Sequence, residues 1–153
     1  MTFDERFPDE ITCRRYLLRR RWPKGVRCPR CSNDRVYVLR SRPWHWVCKK
    51  CARMPYRFSL YVGTIFENTK YPLRTWFRVL CLMRSREDVS AIEIHRAIGT
   101  GSYQTAWYLS HRLRAGLADP KMRRLLNIVS ERRRGQETPV RAEDHSFLLS
   151  ALR

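Results

Sequence analysis

Arg27-Cys28-Pro29-Arg30-Cys31-Ser32 and Val47-Cys48-Lys49-Lys50-Cys51-Ala52 decide how the first half of this chain folds. Each holds a Cys-x2-Cys pair, and sixteen residues separate Cys31 from Cys48. Two residues between thiols let one tight turn aim both sulfurs at a single tetrahedral ion. A spacer of about 15–20 residues accommodates a β-hairpin that brings two such turns together. Four soft thiolates select zinc, and a closed tetrahedron leaves no coordination position for chemistry. The spacing therefore predicts one structural Zn2+ held by Cys28, Cys31, Cys48 and Cys51. Two disulfides, or four unrelated thiols, are the plainer alternatives.

Charge is the second signal. With 32 Lys and Arg against 14 Asp and Glu, the 153-residue chain carries a formal net charge of +18. Basic runs recur, as in Arg19-Arg20-Arg21, Lys49-Lys50 and Arg132-Arg133-Arg134. Such a field favours a polyanion, whose displaced counterions drive affinity whatever its sequence. Membrane surfaces are anionic too, but no apolar run is long enough to span one and no lipidation motif is present. Double-stranded DNA is the expected partner, and no membrane is. The start, Met1-Thr2-Phe3-Asp4-Glu5, is acidic and polar, unlike a secretory signal. Paired cysteine motifs in that setting point to a reducing compartment, hence to the cytoplasm. Cys13 and Cys81 fall outside the pattern and are expected to be buried, inert thiols.

The remaining pattern predicts an α+β chain: a helix, then a small three-stranded antiparallel zinc ribbon, then a helical helix-turn-helix domain. Phe7 to Arg21 reads as a helix that starts at Pro8-Asp9, with Ile11, Tyr16, Leu17 and Leu18 supplying apolar contacts. Val36 to Leu39, Trp44 to Val47 and Tyr56 to Leu60 read as strands. In the second, alternation puts Trp44 and Trp46 on one face, where core packing is favoured over stacking on bases, and His45 on the other. Past Gly63 the period approaches 3.6. Pro72 opens a helix with Leu73, Trp76, Phe77, Leu80 and Met83 inward. Asp88-Val89-Ser90 caps a second over Ala91 to Ile98. After Gly99-Thr100-Gly101-Ser102, a third runs from Tyr103 to about Gly116, with Ala106, Leu109 or Ser110, Leu113 and Leu117 inward. One more helix is expected around Met122, Leu125, Leu126 and Val129, then a loose tail with a helical turn at Phe147-Leu148-Leu149. The expected divisions are 1–24, an N-terminal helix; 25–62, the ribbon; 63–118, the helix-turn-helix domain; and 119–153, the extra helix and tail.

These segments resemble the N-terminal region of bacterial insertion-sequence transposases that begin with a zinc ribbon. The likeness is carried by Phe7-Pro8-Asp9-Glu10, Arg21-Trp22-Pro23 and both cysteine knuckles. Gly63 to Lys70, Pro72-Leu73-Arg74 with Trp76-Phe77, Ser90 to Ile94, Tyr103 to Trp107 and His111 to Arg114 extend it. It implies a zinc ribbon plus helix-turn-helix that binds the ends of a mobile element. Ser32 and Ala52 stand where the family often has glycine, which should strain each knuckle slightly. Gly99-Thr100-Gly101-Ser102 sits one residue off the family's usual turn, so the recognition-helix register is open. The resemblance also implies a ribonuclease-H-like catalytic domain whose acidic residues bind two divalent ions. The 36 residues after Leu117 show no strand-rich segments to arrange such acids. Strand transfer by this chain alone is therefore not expected, and no residue is assigned as catalytic.

Candidate DNA contacts on the third helix are Gln104, Thr105, Tyr108 and Arg112, with His111 alongside. Glutamine can bond an adenine edge, and arginine can bridge guanine or hold phosphate. Arg114, and on the ribbon Arg30, Lys49 and Lys50, are candidate phosphate contacts, and these cations also support thiolate formation. The leading reading is a zinc-dependent DNA-binding protein derived from the recognition part of a transposase. The alternatives are a zinc-ribbon adaptor on the ribosome or RNA polymerase, and the DNA-binding half of a split transposase. Self-association, or pairing with a separate catalytic chain, stays open.

Overall fold

A computed structural model of the chain describes residues 2–51, 54–86, 88–99 and 101–127. Two short-range caps open it. Thr2 and Glu5 form a reciprocal capping box on α1 (Phe3–Arg6). Asp9 then accepts from the Thr12 amide at 2.6 Å and starts α2 (Glu10–Arg21). The helix expected over Phe7 to Arg21 is present and begins at Glu10 behind its Asp9 cap, and the short α1 before it was not expected. Leu17 and Leu18 are buried as expected, but Ile11 is 51% exposed, on the outer face of α2.

The ribbon is an antiparallel meander of β1 (Val36–Val38), β2 (His45–Cys48) and β3 (Tyr56–Ser59), in that order. Trp46 pairs with Phe58 across the sheet, and their rings stack at 6.0 Å. Trp22, just past α2, meets both rings edge-on. This aromatic layer buries the inner face of the ribbon against the end of α2. Trp44 does not share the strand with Trp46. It lies before β2 with φ of 65°, so alternation does not govern it, yet it packs half-buried on the core.

Residues 60–72, between the ribbon and the helices, are a wound connection rather than a slack one. Phe66 is fully buried against Trp76 and Phe77. Thr69 accepts from the Trp76 indole N–H at 2.9 Å, and Glu67 accepts from the Gly63 amide at 3.0 Å. Arg21 donates to the carbonyls of Leu60 (2.6 Å) and Val62, fastening the end of α2 to the ribbon's exit.

Four helices complete the fold: α3 (Leu73–Ser85), α4 (Ala91–Ile98), α5 (Tyr103–Ala118) and α6 (Pro120–Leu125). Leu73, Trp76, Phe77, Val79 and Leu80 form the buried stripe of α3, while Met83 packs at its margin. Ser90 and Glu93 make a second capping box, and Ile94 and Ile98 face inward. Gly99 ends α4 at φ 66°, a left-handed conformation that costs glycine little. Ser102 caps α5, which buries Ala106, Leu109, Ser110 and Leu113 against α3 and α4. Near its end Gly116 meets the connection so closely that a Cβ there would lie 2.6 Å from Ile65 Cγ2. Leu117 is half-buried. Met122 and Leu126 are buried as expected of the last helix, whereas Val129 and the helical turn at 147–149 lie outside the described residues. Cys13 is fully buried, but Cys81 is only half-buried.

Pro72 offers α3 no side-chain cap. Glu10 supplies it from α2, accepting from the amides of Leu73 (2.8 Å) and Arg74 (2.9 Å). A carboxylate at a helix N-terminus satisfies free donors and complements the helix dipole. Glu10→Ala is expected to destabilise the zinc-loaded protein by about 1–2 kcal/mol, and Glu10→Gln by less, since one oxygen acceptor remains. Urea melts of the three proteins at neutral pH measure this.

Candidate metal centre and nucleic-acid interface

The two knuckles converge. Cys28 Sγ lies 3.5 Å from Cys51 Sγ, and Cys31 Sγ lies 3.5 Å from Cys48 Sγ. All four sulfurs fall within 4.8 Å of one another. A tetrahedral zinc with bonds of about 2.3 Å spaces its sulfurs at about 3.8 Å, which this set fits. A disulfide needs about 2.05 Å, so the disulfide alternative fails and all the cysteines are free thiols. Both of these 3.5 Å contacts run between knuckles. One ion therefore ties the first turn to the second and closes the hairpin between.

Local backbone explains the aim. In the first knuckle the Ser32 amide donates to the Cys28 carbonyl at 2.8 Å, and the Cys28 amide donates to the Asn33 carbonyl at 2.9 Å. Ser32 sits at φ 59°, so the strain expected where glycine is usual is present at this turn. Ala52 lies outside the described residues. Cys28, Cys48 and Cys51 are buried and Cys31 is exposed, so the tetrad opens on one edge only. Burial works against ionisation of Cys48. Donors from Asn33 and Cys31 and the amides of Lys50 and Cys51 outweigh it, bringing the thiol down to about 6. Burial and its three thiol neighbours push Cys51 up to about 12. Without a cation such a cluster cannot ionise together, and zinc supplies the charge that lets it do so.

Residues 8–54 match the family of transposase zinc-ribbon domains. The match spans α2, both knuckles, β1 and β2, and stops before β3. An uncharacterized protein in transposable element ISH50 of Halobacterium salinarum is 28% identical over 118 residues. Those residues are 75% of this chain but only 38% of that protein. No solved structure matches the chain. Residues 8–54 are thus similar to a transposase zinc ribbon, and their four clustered cysteines are placed to hold one structural zinc.

Cations surround the ribbon in an ordered way. Arg30 lies over the Tyr56 ring at 4.0 Å and Lys49 over the Tyr37 ring at 4.8 Å. Lys50 is exposed beside them. Four thiolates and one zinc sum to −2, and these three cations exceed that charge. A second basic feature had no motif to betray it: a cavity of about 440 Å³ between α2 and α6, lined by Arg20, Arg21, Lys121 and Arg124 with no carboxylate.

On α5 the candidate residues divide. Arg112 donates to the Glu67 carbonyl (3.0 Å) and to the Tyr108 hydroxyl (2.6 Å). Tyr108 packs on Tyr71 and Trp76. Thr105 shares a hydrogen bond with the Tyr71 hydroxyl at 3.2 Å and closes the cap with Ser102. Arg114 reaches the Val89 carbonyl at 3.1 Å. Gln104 is exposed and its side chain makes no hydrogen bond among the described residues, and His111 is exposed beside Trp107. Trp107, 49% exposed, was not singled out by the sequence, because a tryptophan in an apolar-periodic helix reads as core.

Two outcomes are expected of the metal centre. Strong chelator will unfold the ribbon and release about one zinc per chain. During chelation Cys28, Cys31, Cys48 and Cys51 will alkylate, while Cys13 stays unmodified as long as α2 and α3 remain packed, because burial pushes that thiol up to about 12. Peptide mapping after iodoacetamide treatment reads both.

Proposed function

We propose that this chain is a zinc-dependent, double-stranded-DNA-binding protein that recognises DNA as the front part of an insertion-sequence transposase would. The observation that carries the reading is the state of α5. It is the second helix across a short glycine turn, and it keeps a polar and aromatic strip at Gln104, Trp107 and His111 free of the protein's own packing. The chain as a whole carries a surplus of eighteen positive charges. Under this reading α5 enters the major groove, α3 and α4 support it, and Arg114 with the ribbon cations Arg30, Lys49 and Lys50 holds phosphates. Thr105, Tyr108 and Arg112 then act close to the DNA chiefly by fixing the pose of α5. Zinc is a brace in this scheme, binding no substrate.

Strand transfer is not assigned to these residues. Among the described residues, the sole grouping of three or more metal-binding side chains is the cysteine tetrad. The length of the ISH50 relative supports a second reading, in which this segment serves a catalytic domain carried elsewhere. A frame encoding acidic, strand-rich sequence beside this one would favour it.

Fluorescence anisotropy with a labelled duplex tests the main reading. Affinity should fall steeply with salt, and removing one phosphate-binding cation should flatten the log–log slope by about 0.9. Combined Arg30→Ala, Lys49→Ala and Lys50→Ala should flatten it without abolishing preference among duplexes. Binding that prefers RNA or a protein complex over duplex would reject the reading in favour of an adaptor.

A further inference from the structure

Trp107 is an uncommon residue to leave half in solvent on a strongly basic surface. Its ring lies 4.0 Å from that of His111, tilted by 34°, one helical turn along the same face. Among the described residues it makes no other ring contact, and its indole N–H has no partner. This differs from Tyr108, whose ring is engaged by Tyr71 and Trp76. Gln104 stands three residues before Trp107, and on a helix such positions are neighbours, with Cβ atoms about 5–6 Å apart. Stacked base pairs rise by about 3.4 Å, so two such side chains reach the same or adjacent base pairs.

We propose that Gln104 and Trp107 form a two-point reader of an A·T-containing step, in which Trp107 packs on the C5-methyl group of thymine. Gln104 bonds the adenine edge through N6 and N7, the pairing for which its amide has the right donor and acceptor. His111 is a positioning residue: stacked behind the indole, it removes rotamers that the bare surface would allow. The proposal rests on the reading that α5 lies in the major groove, and it adds which base feature is recognised there. Aromatic surface suits the thymine methyl because that methyl is the apolar group of the major groove, and its burial removes apolar area from water. The residues flanking the strip argue against a protein partner on it. Arg96 on α4 and Arg114 on α5 are both exposed, which favours an anionic partner.

The test uses the full zinc-loaded chain. A duplex is selected from a random library, and each thymine in it is replaced in turn by uracil, which removes only the methyl group. At one thymine, wild type should lose about three- to tenfold in affinity. Trp107→Ala should bind the thymine and uracil duplexes alike, and Trp107→Phe should keep most of the discrimination. Zinc content and the urea midpoint of both variants should match wild type, which shows that they are folded. If wild type binds its selected duplex yet no thymine responds, or if Trp107→Ala still discriminates, the proposal is overturned while the DNA-binding reading stands. If wild type selects no duplex at all, both fall.

Discussion

Four sulfurs must meet at one point, and most of the structure follows from that requirement. The three strands of the ribbon are three or four residues each, too short to hold together on burial alone. With both knuckles pinned to one ion, β2 and β3 gain their register and Trp46 is set opposite Phe58. That pair gives Trp22 a surface to pack on, and the exit of β3 presents the Leu60 and Val62 carbonyls to Arg21. From α2 the dependence continues through Glu10 to the start of α3. α3 then forms the floor on which α4 and α5 rest. The metal does not touch α5, but the order it imposes reaches α5 by contacts that can each be named.

Electrostatics pulls the other way. A net charge of +18 on a chain this short opposes compaction, because like charges are brought closer on folding. The protein moderates this by giving many cations something local to do. Arg74 and Arg78 share Asp4, Arg74 also bonds the Phe7 carbonyl, and Arg21, Arg112 and Arg114 cap backbone carbonyls. The bonds to carbonyls hold a guanidinium in place without neutralising it. The field therefore survives the packing, which is the charge the proposed DNA partner would relieve.

The legible parts of this structure were the local ones. Cysteine spacing, the change of period after Gly63 and the Ser90 and Asp9 caps each lie within a few residues, and the structure places them as the sequence predicts. What was illegible depends on partners far apart. Glu10 caps α3 across 63 residues of chain, and no pattern near either end announces it. The connection over 60–72 looks like a loop, yet it is wound because Phe66 and Thr69 find Trp76 and Phe77 only after folding. The engagements of α5 were hidden for a related reason. A helical wheel assumes one buried side and one free side, whereas α3, α4 and the connection cover α5 on three. Thr105, Tyr108 and Arg112 look outward on a wheel, but Tyr71 and Glu67 wait there. What is left open is narrower and is centred on Trp107.

The use made of carboxylates bears on function more directly than any count of basic residues. A two-metal phosphoryl-transfer site needs acids that are convergent and uncommitted. In the described residues nearly every acid already has structural work. Glu5, Asp9, Glu10, Glu93 and Asp119 cap helices, Asp4 holds two arginines, and Glu67 closes the turn at Gly63. Caps bind each carboxylate to backbone amides and turn it toward a helix end, away from its fellows. Drawing any of the five capping acids onto a divalent ion would uncap a helix of the scaffold that presents α5. These acids are therefore organised to hold the helices in place, and under the proposed reading chemistry on the phosphodiester would come from acids placed outside this frame.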